Sequence, residues 1–305
     1  MSLKKIILWT SGVALFFLST GAAFFLLRPV DFSFGVTYAR EALHGIENHQ
    51  VTVAGRSVHY LATGPAAGPV VVLVHGLGGS AEDWLELAPY LVKAGFRVYM
   101  PDLIGYGRSP RPAEFSYSVG DEAAMVTGFM NALHLQQIDL GGWSMGGWIV
   151  QRVAGAHPER IRRLILFDSA GLYAAPTWNT NLFTPTTAEE IDQLQALLMP
   201  HPPTVPAFVA RDILRFTRER AWVIHRALNS MLTGSDTTDA LLPRLKMPVL
   251  IAWGELDRIT PLAQGEAMHR LVPQSELVVA PGCGHLAPRQ CTTQMGPRVV
   301  AFLQR

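Results

Sequence analysis

From residue 50 onward, unbroken apolar runs rich in β-branched residues alternate with stretches of helical period. VVVLVHG (residues 70–76) is the clearest run, and a strand that shows no polar face is a strand covered on both sides. FRVYMPDL, IDLGGWS, IRRLILFDSAG, PVLIAWGELD and SELVVAPGCGH follow the same rule. Between them AEDWLELAPYLVKAG, VGDEAAMVTGFMNALHL and WIVQRVAGAHP carry helical spacing, and residues 295–305 close with a short helical segment. HQVTVAGRSVHYLATG precedes the series and reads as a hairpin turning at Ala-Gly-Arg. Strands that alternate with helices imply βαβ units and an α/β fold with a mostly parallel sheet flanked by helices.

The alternation fails between residues 171 and 244. That stretch opens Pro- and Thr-rich (APTWNTNLFTPTT), continues with AEEIDQLQALLM, VPAFVARDILRF and RERAWVIHRALNSML, and contains no buried-strand run. It reads as a helical cap inserted between two strands, which leaves 50–170 and 245–305 as two parts of one core.

The N-terminus is different in kind. Lys4 and Lys5 precede Ile6–Leu27, which carries no charge, and Arg28 and Pro29 close it. At ~1.5 Å rise per residue this run reaches about 33 Å, enough to cross a hydrocarbon core of ~30 Å. Residues 1–28 are therefore expected to be a single-pass anchor. A cleaved signal is the alternative, with small residues at Gly21–Ala23, but the apolar run continues through FFLL beyond them. The two lysines favour a cytoplasmic N-terminus with the rest of the chain on the far side, and Arg28 and Arg40 weaken that bias. Residues 29–49 read as a connector, helical in their second half.

With a net charge of +1, nothing suggests nucleic acid as a partner. Two cysteines, Cys283 and Cys291, are too few for a disulfide framework or a Cys-rich metal site. No metal and no organic cofactor is expected.

Gly142-Trp143-Ser144-Met145-Gly146 fits G-x-S-x-G, following an expected strand and opening an expected helix. Such a turn is tight, which accounts for the glycines, and it lifts the hydroxyl above the sheet at a helix N-terminus, where developing negative charge is favoured. A serine nucleophile needs a base, and the base needs an orienting carboxylate. His285 in PGCGHLAP and Asp257 in WGELDRITP both follow strands, and the order Ser, Asp, His suits one sheet edge. Glu255 and Asp168 are rivals for the acid. His59, His134, His157 and His269 read as structural. HGLGGS (residues 75–80) also follows a strand, so the backbone N–H groups of Leu77 and Met145 are expected to hold an oxyanion. His75 reads as the residue that fixes this loop.

HGLGG, PDLIGYGRS, GWSMGG, WGELDRITP and GCGH stand in the order of the α/β-hydrolase superfamily, which the chain resembles over roughly residues 50–305. Within it the chain looks most like membrane-anchored monoacylglycerol lipases and related bacterial lipases and esterases. The shared features are the apolar N-terminus, SAGL after the sixth strand, the helical cap and the PGCGH end. The resemblance implies the α/β-hydrolase fold with an eight-stranded sheet and ester hydrolysis by Ser144, Asp257 and His285. It also implies a cap that covers an acyl pocket. Trp143, Trp178, Leu182 and Phe183 are candidates to line that pocket, with core packing as the alternative for each. Cys283 stands where the resembling family tends to carry a cysteine, so two free thiols are expected, with a disulfide possible in an oxidising compartment. A carbon–carbon bond hydrolase of the meta-cleavage-product type and a catalytically silent binding module are the competing functions. Dehalogenases and epoxide hydrolases of this fold use an aspartate at the elbow, which Ser144 argues against.

Overall fold

Along the central strands, successive residues go to opposite faces, and both faces are buried. Val72, Val74, Leu140, Leu164, Leu166, Val249 and Ile251 pack into one core, and Val71, Leu73, Ile165, Phe167, Leu250 and Ala252 into a second core on the other side. This is why these strands read as continuous apolar runs rather than alternating ones. The computed structural model describes residues 19–305, so most of the expected span, residues 6–18, lies outside the described residues. Residues 19–27 are helical, and among the described residues no helix is long and apolar enough to cross a membrane.

The strands are β1 (Glu47–Val53), β2 (Arg56–Thr63), β3 (Val70–Val74), β4 (Arg97–Pro101), β5 (Ile138–Trp143), β6 (Ile161–Phe167), β7 (Val249–Gly254) and β8 (Glu276–Ala280). They form one eight-stranded sheet in the order β1-β2-β4-β3-β5-β6-β7-β8. β1 and β2 form the expected hairpin, β2 runs antiparallel to β4, and every pairing from β4 to β8 is parallel. The carboxyl ends of β3, β5, β6, β7 and β8 therefore share one edge, as the registers Val74↔Gly142, Trp143↔Phe167, Phe167↔Ala252 and Gly254↔Ala280 require.

Helices lying wholly within the described residues are α1 (Pro29–Leu43), α2 (Ala88–Lys93), α3 (Val119–Ala132), α4 (Met145–Ala156), α5 (Ala188–Leu198), α6 (Ala207–Leu232), α7 (Leu262–Leu271), α8 (Ala287–Gln290) and α9 (Thr292–Leu303). Three differ from the sequence reading. The connector is helical from its first residue, because Pro29 starts α1 with its φ already set and Asp31 meets the helix dipole in the first turn. AEDWLELAPYLVKAG is split into a 3-10 turn at Ala81–Trp84 and α2, since Pro89 cannot donate inside a continuous helix and instead opens a new one. VPAFVARDILRF and RERAWVIHRALNSML are one 26-residue helix, α6, the main beam of the segment between β6 and β7.

α1 lies against α6. Arg215 of α6 pairs with Asp31 at 2.9 Å, the Val30 N–H donates to Asp212 at 2.9 Å, and the rings of Phe34 and Phe216 are 5.5 Å apart. At its other end, Glu41 of α1 accepts from Arg108 at 2.7 Å, and Arg108 also holds Glu82 at 2.6 Å. The segment before the sheet is thus tied both to α6 and to the core that carries Arg108.

The expectation of two free thiols is overturned: Cys283 and Cys291 form a disulfide, with Cα atoms 6.4 Å apart. The short α8 reverses the chain after His285 and returns Cys291, at the start of α9, to the loop that carries Cys283.

Candidate active site

Strand β5 ends at Trp143 and helix α4 begins at Met145, which leaves a single residue to make the turn. Ser144 makes it at φ 57 and ψ −120, a conformation that L side chains seldom adopt and that holds the hydroxyl off both elements. The crowding around it explains the flanking glycines. A Cβ on Gly142 would stand 2.3 Å from the Gly146 carbonyl oxygen, and one on Gly146 would stand 2.3 Å from the Val74 and His75 carbonyls. The elbow is pinned from β6: the Ser144 N–H donates to the Phe167 carbonyl at 3.0 Å and its carbonyl accepts from Ala170 at 3.1 Å.

His285 and Asp257 reach this serine from the loops after β8 and β7. The Ser144 hydroxyl is 3.0 Å from His285 Nε2, and His285 Nδ1 is 2.8 Å from Asp257 Oδ2. A carboxylate only accepts, so Nδ1 carries the proton and Nε2 offers its lone pair to the serine. Asp257 is fixed by its own loop: its Oδ1 accepts from the Ile259 and Thr260 N–H groups at 2.8 and 3.0 Å. Its Oδ2 also accepts from the Thr260 hydroxyl at 2.7 Å. All three side chains are buried or nearly so, with Ser144 9% and His285 2% exposed. A serine placed this way can give its proton to the imidazole as it attacks a carbonyl, and the imidazolium so formed would face Asp257.

The two rivals for the acid do other things. Glu255 accepts from the Gly282 N–H at 2.9 Å, on the outside of the histidine loop. Asp168, at the end of β6 with φ 41, accepts from the Gly254 N–H at 2.6 Å, and its Oδ2 is buried without a partner. Burial, reinforced by the charge of Asp257, pushes the Asp168 carboxyl well above the usual carboxylate range.

The His75–Ser80 loop closes the other side. A Cβ on Gly76 would lie 3.2 Å from the Ser144 Cβ, so the loop that carries Leu77 runs directly against the elbow that carries Met145. His75 fixes that loop: its Nε2 accepts from the Leu103 N–H at 3.0 Å, so its Nδ1 donates to the Gly76 carbonyl at 2.8 Å. Behind it Asp102, fully buried, accepts from Ala81 N–H at 2.6 Å, from Arg108 N–H at 2.8 Å and from His59 at 2.6 Å. Burial alone would raise the Asp102 pKa, and the His59 hydrogen bond with its neighbours lowers it below the ordinary value. His59 thus proves structural.

Compared with known proteins, residues 69–222 and 225–288 match the family model for the alpha/beta hydrolase fold. The chain belongs to the alpha/beta hydrolase family. This alpha/beta hydrolase is 27% identical over 257 residues to lipase 3 of Moraxella sp. (strain TA144), covering 79% of each chain. Its structure is similar to that of a membrane phospholipase A described as a bacterial virulence factor, with a TM-score of 0.82, 26% identity, and coverage of 99% of this chain and 98% of that one. It is also similar to 2-hydroxy-6-oxo-6-phenylhexa-2,4-dienoate hydrolase from Rhodococcus sp. strain RHA1, with a TM-score of 0.74, 27% identity, and coverage of 85% and 99%.

Next to the His75–Ser80 loop lies a cavity of about 410 Å³, walled by Gly78 and Tyr106 of the hydrolase core, Phe34 and Tyr38 of α1, and Phe216 and Ile224 of α6. Of the four residues expected to line an acyl pocket, Phe183 stands on its wall. Trp143 instead packs in the core beneath the sheet, its indole N–H donating to the His285 carbonyl at 2.8 Å, so it braces the histidine. Trp178 donates to the Ile259 carbonyl at 3.0 Å and packs on Phe183, with ring centroids 5.3 Å apart, and Leu182 is buried. Thr260 had no role in the sequence reading. Its signal was present, as a hydroxyl residue three positions after the acid, where it can bond back to it.

Proposed function

We propose that this alpha/beta hydrolase is a serine esterase that cleaves carboxylic esters of lipophilic substrates, such as monoacylglycerols, through an acyl-enzyme intermediate. The observation that carries the reading is the hydrogen-bonded chain from Asp257 through His285 to a strained Ser144. In this reading Ser144 attacks the ester carbonyl while His285 Nε2 takes its proton. The N–H groups of Leu77 and Met145 hold the oxyanion; one such donor contributes on the order of 3 kcal/mol in other enzymes. His285 then passes the proton to the departing alcohol oxygen. A water, deprotonated by His285, opens the acyl-Ser144 ester, releases the acid and restores the serine. Asp257 keeps the imidazole in the Nδ1–H tautomer and stabilises its charged form. No step calls for a metal or organic cofactor.

The lipophilic substrate is supported by the apolar cavity wall and by the likeness to a lipase and to a membrane phospholipase A. A single-pass anchor at residues 1–28 belongs to the same proposal. Phe24, Leu26 and Leu27 at its described end are exposed, as suits side chains facing lipid. The Cys283–Cys291 disulfide supports a catalytic domain on the non-cytoplasmic side, since such bonds persist in oxidising compartments. The likeness to the dienoate hydrolase favours carbon–carbon bond hydrolysis as the second reading.

A series of 4-nitrophenyl esters from acetate to palmitate separates the two. Turnover that rises with chain length and is lost in Ser144→Ala is the expected result. Cleavage of a 2-hydroxy-6-oxo-dienoate with every ester left intact would replace this reading with the second one.

A further inference from the structure

The cavity beside the His75–Ser80 loop is apolar on most of its wall, yet four charged side chains also line it: Asp31, Glu82, Arg111 and Arg220. Each carboxylate has a cation of its own in ion-pair reach, although Glu82 Oε2 is buried without a hydrogen-bond partner. Asp31 is held by Arg215 at 2.9 Å and Glu82 by Arg108 at 2.6 Å. The two guanidiniums are not matched in the same way. Arg111 donates to the Gly107 carbonyl at 2.9 Å, and among the described residues it has no carboxylate in ion-pair reach. Arg220 shares Glu219, at 3.2 Å, with Arg215, which holds the same carboxylate at 2.9 Å, and its guanidinium lies 3.5 Å from the centre of the Phe216 ring. In both arginines the Nε is buried without an acceptor. Those atoms have no surface open to the cavity, so a ligand there would meet the terminal nitrogens: of the five N–H donors on each guanidinium, Arg111 commits one terminal nitrogen to Gly107, and Arg220 commits one to the Phe216 carbonyl and Glu219, which leaves donors on both for a ligand. Burial, and then the like charge of Arg220, hold the Arg111 guanidinium below its ordinary pKa, as befits a cation whose counter-ion is elsewhere.

We infer that Arg111 and Arg220 form an anion subsite, so that the ester this hydrolase prefers carries a phosphate or carboxylate group besides the bond it cleaves. Guanidinium forks match both oxyanions in planar, two-point fashion, and they do so best where water is scarce. The geometry suits an amphiphile. Its charged group would meet Arg111 and Arg220, its apolar part would lie along Phe34, Phe183 and Ile224, and its carbonyl would approach the Gly78 end of the cavity, beside Leu77. A neutral monoacylglycerol would bring no counter-charge to these two guanidiniums, whereas an ester bearing a phosphate diester would. This inference deepens the ester-hydrolase reading and rests on it only for the identity of the bond that is cleaved.

Binding can be measured without turnover, so failure of the subsite and failure of ester hydrolysis are read separately. The probes are hexyl phosphate, hexanoate and hexanol, titrated calorimetrically into the full-length protein. Hexyl phosphate is expected to bind at least tenfold more tightly than hexanol. That preference should disappear in Arg111→Gln and in Arg220→Gln, and should survive in Arg111→Lys, which keeps the charge and also serves as a folding control. A preference for hexanoate with none for hexyl phosphate, lost in the same variants, supports the subsite and assigns the anion as a carboxylate. Equal binding of all three probes, or a preference that both glutamine variants retain, would overturn the inference.

Discussion

At the residue scale, the assignment of the acid is the sharpest point. Asp168 and Asp257 both end strands on the same sheet edge, and position alone favoured Asp257 without saying what Asp168 was for. The structure separates them by hydrogen bonding. Asp257 faces His285 Nδ1 and is surrounded by donors, whereas Asp168 accepts one backbone N–H, and burial beside Asp257 favours its neutral form. Asn is a near-isostere of a neutral acid and a poor substitute for an anion. Asp257→Asn should therefore lower kcat by about 10⁴, the loss seen for the equivalent change in a serine protease. Asp168→Asn should keep kcat within about threefold, well under 1 kcal/mol of barrier. Steady-state rates of both variants on 4-nitrophenyl butyrate check this, and a collapse in Asp168→Asn with Asp257→Asn near wild type would reverse the assignment. The juxtaposition of Ser144, Asp257 and His285 was legible because each sits in a short motif at a strand end. Trp143 and the arginine pair were not, because their work depends on partners more than 80 positions away or on a cavity formed only when distant segments pack: Trp143 finds its acceptor at His285 and Arg111 shares a wall with Arg220, whereas Thr260 bonds only three positions back and its spacing did carry the signal.

At the scale of elements, apolar period located the strands well, since double-sided burial leaves a mark on every residue. It did worse where two helices share one run or one helix spans two, because a break at Pro89 and continuity through α6 are decided by local hydrogen bonding and packing rather than by period. Nor could it show what ties the edge strand β1 to the sheet. Glu47 of β1 accepts from both terminal nitrogens of Arg97 in β4, at 2.6 and 2.7 Å. That hydrogen bond first, and His49 second, lower the Glu47 carboxyl from its ordinary value near 4.5 to about 2. A depressed carboxylate stabilises the fold above the unfolded-state pKa, and the contribution is lost as pH falls through the folded one. Glu47 is nearly half exposed, so the pair is worth no more than about 1 kcal/mol, or roughly 1–3 °C in Tm. Glu47→Gln should show that deficit at pH 7 and hold it to near pH 4.5. Thermal melts at lower pH should show the two proteins converging as pH approaches 2. A deficit that stays constant from pH 6 to pH 3 would assign it to something other than this ion pair.

At the scale of the whole molecule, the N-terminal region divides into a part that touches the hydrolase and a part that need not. Helix α1 is bound to α6 through Asp31 and Val30, to the core through Glu41, and lends Phe34 and Tyr38 to the cavity wall. The sequence showed a connector there, since the polar contacts that make it part of the site lie 67 to 184 positions away. Removing residues 1–28 should release a folded enzyme with near-normal kcat/KM on short, water-soluble esters and reduced turnover of long-chain esters in vesicles. Removing residues 1–45 should also cost activity on the short esters, because it takes away one wall of the cavity and leaves Arg108 and Arg215 short of partners. Equal rates for the two truncations on 4-nitrophenyl butyrate would mean that α1 plays no part in the site.

The central claim is that Ser144, raised on its elbow between Met145 and Trp143, is the nucleophile of a working hydrolase. The most direct measurement is covalent labelling of the full-length protein with a fluorophosphonate, followed by peptide mass spectrometry and parallel assay of residual ester hydrolysis. The account predicts one adduct per chain, on Ser144, with activity lost in proportion to labelling, and neither adduct nor activity in Ser144→Ala. An adduct on a different residue, or an unlabelled Ser144 in a protein that still hydrolyses esters, would contradict it.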